Sequence, residues 1–182
     1  LGTDLQAVVD AIMTDKPYAK GTKETIKLGV NTIPKLPKDT TDRNRTSPFA
    51  FTGNKFELRS LGSSDSISCC NTVLNTAVAE VLDEFATQLE KAKDFEVALH
   101  KLVQKTFKDH KRIIFNGDGY DESWVKEAKK RGLSNLKTTP DALAHLLDKK
   151  NVDLFKKHNV FSEVELQARH EVRLENYSKI IH

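Results

Sequence analysis

The sequence predicts an α+β fold in which a small antiparallel sheet is followed by a predominantly helical remainder. Two observations predict it. Between residues 47 and 61, apolar and charged side chains alternate, which is typical of strands with one buried face. From residue 71 onward, apolar residues recur at helical spacing over several segments, which is typical of amphipathic helices. A chain of 182 residues with 38% hydrophobic residues can bury a modest core, as one domain or as part of a larger one.

The sheet is predicted as a hairpin of two strands, at about residues 47–52 and 55–61. Gly53-Asn54, between them, is one of the residue pairs that close two-residue hairpins. Successive side chains of a strand point to opposite faces of the sheet. The hairpin is therefore expected to have an apolar back and a charged front.

The charged front is carried by the second strand. Lys55, Glu57 and Arg59 occupy positions i, i+2 and i+4, and Phe56 and Leu58 fill the positions between them. As a strand, this segment turns both cations and the carboxylate to one face and the apolar pair to the other.

Two interpretations of the charged front remain open. It can be a solvated face, whose cross-strand ion pairs contribute under about 1 kcal/mol each. It can also be a site for an anionic substrate, because Asn44 and Arg45 enter the hairpin just ahead of it and the cations outnumber the carboxylate. A Glu between two cations also suits a divalent metal ion that holds a phosphate.

The helical remainder includes recognisable helix ends. Ser162 and Glu165 have the spacing of a capping box, Asp121 or Ser123 can cap an earlier helix, and Thr139-Pro140 suits a helix start. Whether the helices at 71–91 and 94–109 are separate or form one kinked helix stays open. The expected helices cover residues 4–13, 71–91, 94–109, 121–131, 139–149, 151–158 and 162–181. Before the hairpin, a strand at 25–30 and a loop marked by Pro34 and Pro37 are expected.

Charge and composition exclude several classes of protein. The net charge is +3 without a basic run, which argues against a nucleic-acid partner. No apolar run reaches membrane-spanning length. The adjacent Cys69 and Cys70 are expected to be reduced thiols with a packing role, as in a cytoplasmic protein. The six histidines are scattered, with no i, i+4 pair and no pattern of acidic partners, so no zinc or catalytic histidine is expected.

Residues 44–59, NRTSPFAFTGNKFELR, resemble the ATP-binding segment of glutamine synthetase, specifically of its large type III form. Asn44-Arg45-Thr46 stands where the family has an Asn-Arg-Ser strand. Lys55-Phe56-Glu57-Leu58-Arg59 stands where the family has Arg-x-Glu-x-Arg. The downstream segments FNGDGY, GLSNLKTTPDAL and LENYSK also resemble type III sequences, so the likeness covers most of the chain.

The resemblance implies a ligase of glutamine biosynthesis. ATP would phosphorylate the γ-carboxylate of glutamate, and ammonia would then displace phosphate from the γ-glutamyl phosphate. The implied cofactor is Mg²⁺ or Mn²⁺, and the implied partners are glutamate, ammonia and ATP, without nucleic acid or membrane. The full-length parent is expected to be a homo-oligomer of stacked hexameric rings, a dodecamer, in the cytoplasm.

The resemblance also implies a role for each hairpin residue. Glu57 would be a ligand of the metal that bridges ATP and the transferring phosphoryl group. Arg59 would hold glutamyl or phosphoryl oxygens, and Arg45 would stabilise the γ-phosphate. Lys55 stands where the family has an ATP-contacting Arg, and it keeps the charge but loses the bidentate fork. A second Arg of the family is replaced here by Ala50.

The expected organisation follows from this resemblance. Residues 1–38 would be a type III insertion, 39–109 the end of the catalytic domain with its active-site hairpin and core helix, and 110–182 a truncated helical carboxy-terminal subdomain. The chain is expected to be inactive alone, because the remaining metal ligands and an amino-terminal domain lie upstream in the family. The alternative is a non-catalytic helical interaction or assembly module.

Overall fold

The computed structural model describes most of the chain and is mostly helical. Helices fall into two compact units, each built from two separate segments: Leu1–Gly62 with Glu96–Leu133, and Ser63–Phe95 with Ser134–His182. The described residues are 3–18, 25–26, 36–37, 49–51, 55–60, 62, 64–117, 119 and 121–181.

The first unit begins with helix α1, Thr3–Thr14, close to the predicted 4–13. Its Val9 and Met13 are buried, at 4% and 6% exposure. Polar contacts tie α1 to residues 100–116, and the partner number falls as the α1 number rises, so the two segments run antiparallel. These contacts are Gln6 with Asn116, Asp10 with Lys111, the Ile12 carbonyl with Gln104, and Asp15 with His100.

A short two-stranded ladder follows α1. Strand β1, Thr25–Ile26, pairs antiparallel with β2, Leu36–Pro37, and Thr25 stands opposite Pro37. The interpretation of Pro37 as a loop residue is therefore wrong. A proline is tolerated here because it sits at the end of a two-residue strand, where the missing N–H costs little. Pro34 and residues 27–30 of the predicted strand lie outside the described residues.

Strands β3, Phe49–Phe51, and β4, Phe56–Leu58, also pair antiparallel. The register places Phe49 opposite Leu58 and Phe51 opposite Phe56. The second strand is shorter than the predicted 55–61, because Lys55 and Arg59 flank the ladder instead of belonging to it, whereas residues 47, 48 and 52 of the first predicted strand lie outside the described residues. The predicted turn pair Gly53-Asn54 lies outside the described residues.

The first unit is completed by helices α3, Phe95–Asp109, and α4, Glu122–Lys130, with a 3₁₀ turn at Lys111–Ile113. The carboxylate of Asp121 accepts the Ser123 N–H at 2.7 Å and caps α4, as predicted. Beyond the other end of α4, two arginines join the helix to the 3₁₀ turn. Arg131 donates to the carbonyl of Ile114 at 2.8 Å, and Arg112 donates to that of Gly132 at 3.0 Å.

The second unit holds the helix α2 and the carboxy-terminal helices. α2 covers Ser68–Glu90 and ends before α3, so the alternative of one kinked helix does not hold. α5, Thr139–Ala144, continues as a 3₁₀ turn at His145–Leu147, and this helix ends earlier than predicted. α6, Lys149–Lys157, and α7, Glu163–Ile181, complete the unit.

The core of the second unit lies between α6 and α7. Val152, Phe155 and Leu166 are buried and form a cluster, against which Phe161 packs. The rings of Phe155 and Phe161 are 5.4 Å apart at a tilt of 51°, a favourable geometry for aromatic pairs. Leu166, with no exposed surface, is the most deeply buried of the three.

The predicted capping box opens α7. The Ser162 hydroxyl accepts the Glu165 N–H at 3.3 Å, and the Glu165 carboxylate accepts the Ser162 N–H at 2.8 Å. This backbone hydrogen bond from Ser162, with the one from its hydroxyl, lowers the pKa of Glu165. Backbone N–H groups at the start of α7 thus find their hydrogen-bond acceptors in neighbouring side chains.

Two further expectations concern thiols and membranes. Cys69 and Cys70 are free, but Cys70 is exposed, so a packing role for Cys70 is wrong. Its position in the first turn of α2 faces solvent. Among the described residues, no helix has the length and apolar character that a membrane span requires.

Substitutions at two leucines of α7, one buried and one exposed, test this core. Leu166→Ala removes a fully buried side chain and is expected to lower the free energy of unfolding by about 2–5 kcal/mol. Leu174→Ala, the same change on the same helix at a residue with 45% exposure, is expected to cost much less. Urea unfolding followed by circular dichroism measures both, and equal losses would contradict the assigned core.

Candidate active site

The β3–β4 hairpin separates apolar from charged side chains. The rings of Phe49 and Phe56 stack at 5.1 Å with 7° between their planes, and Phe51 packs against Phe56 at 5.1 Å with a tilt of 58°. Phe49 and Phe56 keep 48% and 60% of their surface exposed. The aromatic contacts hold the two short strands together and leave Glu57 of β4, with Lys55 and Arg59 on either side of the strand, for the charged group.

The charged group is centred on Glu57. Its Oε2 accepts a hydrogen bond from Nη2 of Arg59 at 3.2 Å, and its Oε1 lies 3.6 Å from Nζ of Lys55. The Arg59 side chain is 23% exposed, compared with 39% for Glu57 and 66% for Lys55. The structure therefore brings together three of the four residues to which a role is assigned by resemblance. The fourth, Arg45, lies outside the described residues.

The two cations lower the pKa of Glu57. The hydrogen bond from Arg59 is the main cause that lowers the pKa of Glu57, and the charge of Lys55 adds to it, while partial desolvation acts in the opposite direction. At neutral pH the carboxylate is ionised. An ionised carboxylate is the form that coordinates a hard divalent cation.

Glu57 is one carboxylate, and a magnesium site needs several oxygen ligands. Within the described part of the chain, no group of three or more His, Cys, Asp or Glu side chains is placed to hold a metal ion. The chemistry of Glu57 suits one ligand of Mg²⁺ or Mn²⁺, but the described residues do not form a complete metal site. Ala50, the replacement for the family's second Arg, stands opposite Glu57 in the ladder.

Three histidines have carboxylate partners that the sequence interpretation missed. His145 Nδ1 lies 2.8 Å from Asp148, and this i, i+3 pair is readable from the sequence. His158 Nε2 lies 2.6 Å from Glu80, and the two are 78 residues apart, so no local pattern signals the contact. His100 pairs in the same way with Asp15, in the first unit. The interpretation that the sequence holds no acidic partner pattern near its histidines is wrong for His145.

The carboxy-terminal half of the chain matches a known family. Residues 98–182 match the model of the glutamine synthetase C-terminal domain. This range begins within α3 and includes all of α4 to α7. The helical region thus belongs to the class of domains found at the carboxy-terminal end of glutamine synthetases.

Comparisons with individual proteins extend the match over the whole of this chain, including the hairpin. The chain is 44% identical over 185 aligned positions to a type-3 glutamine synthetase of Dictyostelium discoideum. The aligned region covers 100% of this chain and 25% of that protein. It is 40% identical to a glutamine synthetase of Bacteroides fragilis, over 98% of this chain and 25% of the relative. It is 38% identical to one of Butyrivibrio fibrisolvens, over 100% of this chain and 26% of the relative.

These matches confirm the resemblance seen in the sequence. The chain belongs to the glutamine synthetase family, and its similarity includes the type III form. It spans about a quarter of the length of the curated relatives it matches.

The ion pairs of Glu57 can be tested by titration. In Arg59→Met, the pKa of Glu57 is expected to rise toward its ordinary value, because the largest cause of its depression is removed. Lys55→Met is the matched control and is expected to raise the pKa less. Carbon-detected NMR titration of the Glu57 carboxylate measures both variants, and an unchanged pKa in Arg59→Met would contradict the geometry.

Proposed function

We propose that this chain contributes an active-site hairpin to a glutamine synthetase of type III, an enzyme that ligates ammonia to glutamate at the expense of ATP. The observation that carries the proposal is the ionised Glu57 held between Arg59 and Lys55 on β4. The family assignment supports it, because the relatives that cover 98–100% of the chain are named glutamine synthetases.

The chemistry explains why such a group is useful. Phosphorylation of glutamate and displacement of phosphate both concentrate negative charge on the transferring oxygens. Side chains that carry fixed positive charge stabilise that charge without reorganising, and they act most strongly where water is excluded. A bound Mg²⁺ or Mn²⁺ would supply Lewis-acid polarisation of the phosphoryl group.

Each residue has a part in this proposal. Glu57 would supply one carboxylate oxygen to the metal, and the other ligands would come from outside the described residues. Arg59 would orient glutamyl or phosphoryl oxygens, since a guanidinium pairs with such oxygens through two parallel hydrogen bonds. Lys55 would attract ATP as a point charge, and Arg45 is proposed to contact the γ-phosphate.

The ion pairs of Glu57 also have a positioning role. The hydrogen bond from Arg59 lowers the pKa of Glu57 and directs its carboxylate before any ligand arrives. A group that is already oriented loses less conformational entropy when it binds. The hairpin would therefore present a preorganised carboxylate and two cations to the metal and the nucleotide.

The full-length parent is proposed to be a cytoplasmic homo-oligomer of stacked hexameric rings that uses ATP, glutamate and ammonia. Residues 1–38 would be a type III insertion, 39–109 the end of the catalytic domain and 110–182 a helical subdomain. The isolated chain is proposed to be inactive, because one carboxylate cannot provide the several ligands that each metal ion needs.

A helical assembly module is a second candidate. It is favoured by the apolar side chains that the helices expose, among them Val78 and Leu82 on α2 at 56% and 59%. In that case the charged front of the hairpin would be a solvated face. Substitutions of Glu57 and Arg59 would then leave turnover intact.

Turnover of a full-length enzyme separates the two candidates. We would replace the aligned quarter of the Dictyostelium type-3 glutamine synthetase with this chain and assay glutamine formation from glutamate, ammonia and ATP-Mg²⁺. Glu57→Gln is expected to lower kcat about a hundredfold or more, the scale of a preorganised electrostatic group. Glu84→Gln, an exposed residue of α2, is the control. Near-normal turnover in Glu57→Gln would leave the assembly module as the better account.

A further inference from the structure

A cluster of charged side chains joins α2 to α6 within the second unit. Glu80 of α2 lies 2.6 Å from Nζ of Lys157 and 2.6 Å from Nε2 of His158, at the end of α6. Asp83, on the next turn of α2, lies 3.2 Å from the same lysine. The side chains of Glu80 and His158 are 25% and 20% exposed, so water reaches only a minor part of either.

The cluster lies on the side by which α2 is attached, and this side is largely polar. At about 100° per residue, Cys69, Thr76 and Asp83 all lie within about 60° of Glu80. Thr76 is buried, at 5% exposure. Sγ of Cys69 accepts a hydrogen bond from Arg173 of α7 at 2.7 Å. Because the attachment is polar, the charge states of its members affect how firmly α2 is held.

His158 is the member of the cluster whose side-chain type changes charge between pH 5 and 8. The hydrogen bonds from Lys157 and then from His158 lower the pKa of Glu80. The hydrogen bond to Glu80 raises the pKa of Lys157. Glu80 is therefore ionised and Lys157 charged across this range of pH, and the histidine is left as the variable group.

The tautomer of His158 follows from its partner. An ionised carboxylate only accepts hydrogen bonds, so Nε2 carries a hydrogen and donates to Glu80. In the neutral ring Nδ1 is then unprotonated, and it is the atom that takes up a proton as the pH falls. The contact is kept in both forms, but protonation converts it into a charge-assisted hydrogen bond, which is roughly twice as strong as a neutral one.

The balance of charge in the cluster changes in the same direction. With a neutral His158, the carboxylates of Glu80 and Asp83 face one cation, Lys157. Protonation of His158 supplies a second cation, which adds attraction between α6 and α2. On α2, Glu84 follows one turn after Glu80 and is exposed. Charged groups on the other elements packed against α6 have partners of their own: His145 with Asp148, Glu163 with Lys156, Glu165 with Ser162, and Arg169 over the ring of Phe161.

We propose that the contact between His158 and Glu80 is a proton-dependent latch, which holds α2 on α6 more firmly at mildly acidic pH than at mildly alkaline pH. The stronger contact belongs to the protonated ring, so its contribution is present at low pH and is lost as the pH rises through the titration of His158. Glu80 sets the lower limit. Its pKa is lowered, so its contribution is complete above the ordinary value of 4.5 and is lost as the pH falls further. The latch does not depend on the catalytic role proposed for Glu57.

Hydrogen exchange in the 182-residue chain tests the latch. Detachment of α2 exposes its amides, so their protection factors, corrected for the intrinsic exchange rate, are expected to fall about three- to tenfold between pH 6 and pH 8. In His158→Gln, a side-chain amide donates to Glu80 without titrating, and α2 protection is expected to stay constant. His145→Gln, which removes another histidine paired with a carboxylate, is the matched control and is expected to keep the wild-type dependence.

NMR titration of the ring nitrogens of His158 in the unsubstituted chain adds a measurement that needs no variant. The change in α2 protection is expected to follow protonation at Nδ1 and to have the same midpoint. A pH dependence of α2 protection that persists in His158→Gln, or α2 protection that stays constant while His158 titrates, would overturn the proposal.

Discussion

The ion pairs around Glu57 are the interaction on which the functional account depends. A single carboxylate on a three-residue strand has little to hold it, yet Arg59 and Lys55 engage both of its oxygens. They lower its pKa and fix its orientation at the same time. The stacked phenylalanines on the other face provide the support, because they join two strands that are too short to be stable by backbone pairing alone. The stacked phenylalanines on one face and the charged group on the other thus both arise from one alternating sequence.

Among the helices, polar contacts also orient α1 and α2. The α1 helix is joined to residues 100–116 by a series of side-chain hydrogen bonds and ion pairs. The Glu80 contacts hold α2 by its charged side. Exposed ion pairs of this kind contribute little to stability individually, but they select one orientation of each helix. The apolar surface that remains exposed is consistent with a chain whose relatives are about four times as long.

Features that depend on local sequence were predictable. The alternation at Lys55, Glu57 and Arg59 indicates a charged face without any structure, and the capping box at Ser162 marks the start of α7 to the residue. Contacts between distant residues were not predictable, because nothing near His158 indicates that its partner is Glu80. The role proposed for Glu57 as a metal ligand depends on the family resemblance and not on spacing, since one carboxylate between two cations also describes an ordinary solvated strand.

A structure of the chimera with glutamate, Mg²⁺ and a non-hydrolysable ATP analogue bound tests the central claim most directly. The account predicts a carboxylate oxygen of Glu57 at about 2.0–2.1 Å from a magnesium ion, with Arg59 directed at glutamyl or phosphoryl oxygens. A nucleotide-bound structure in which every metal ion is complete without Glu57, and in which Glu57 contacts only Arg59 and Lys55, would contradict it.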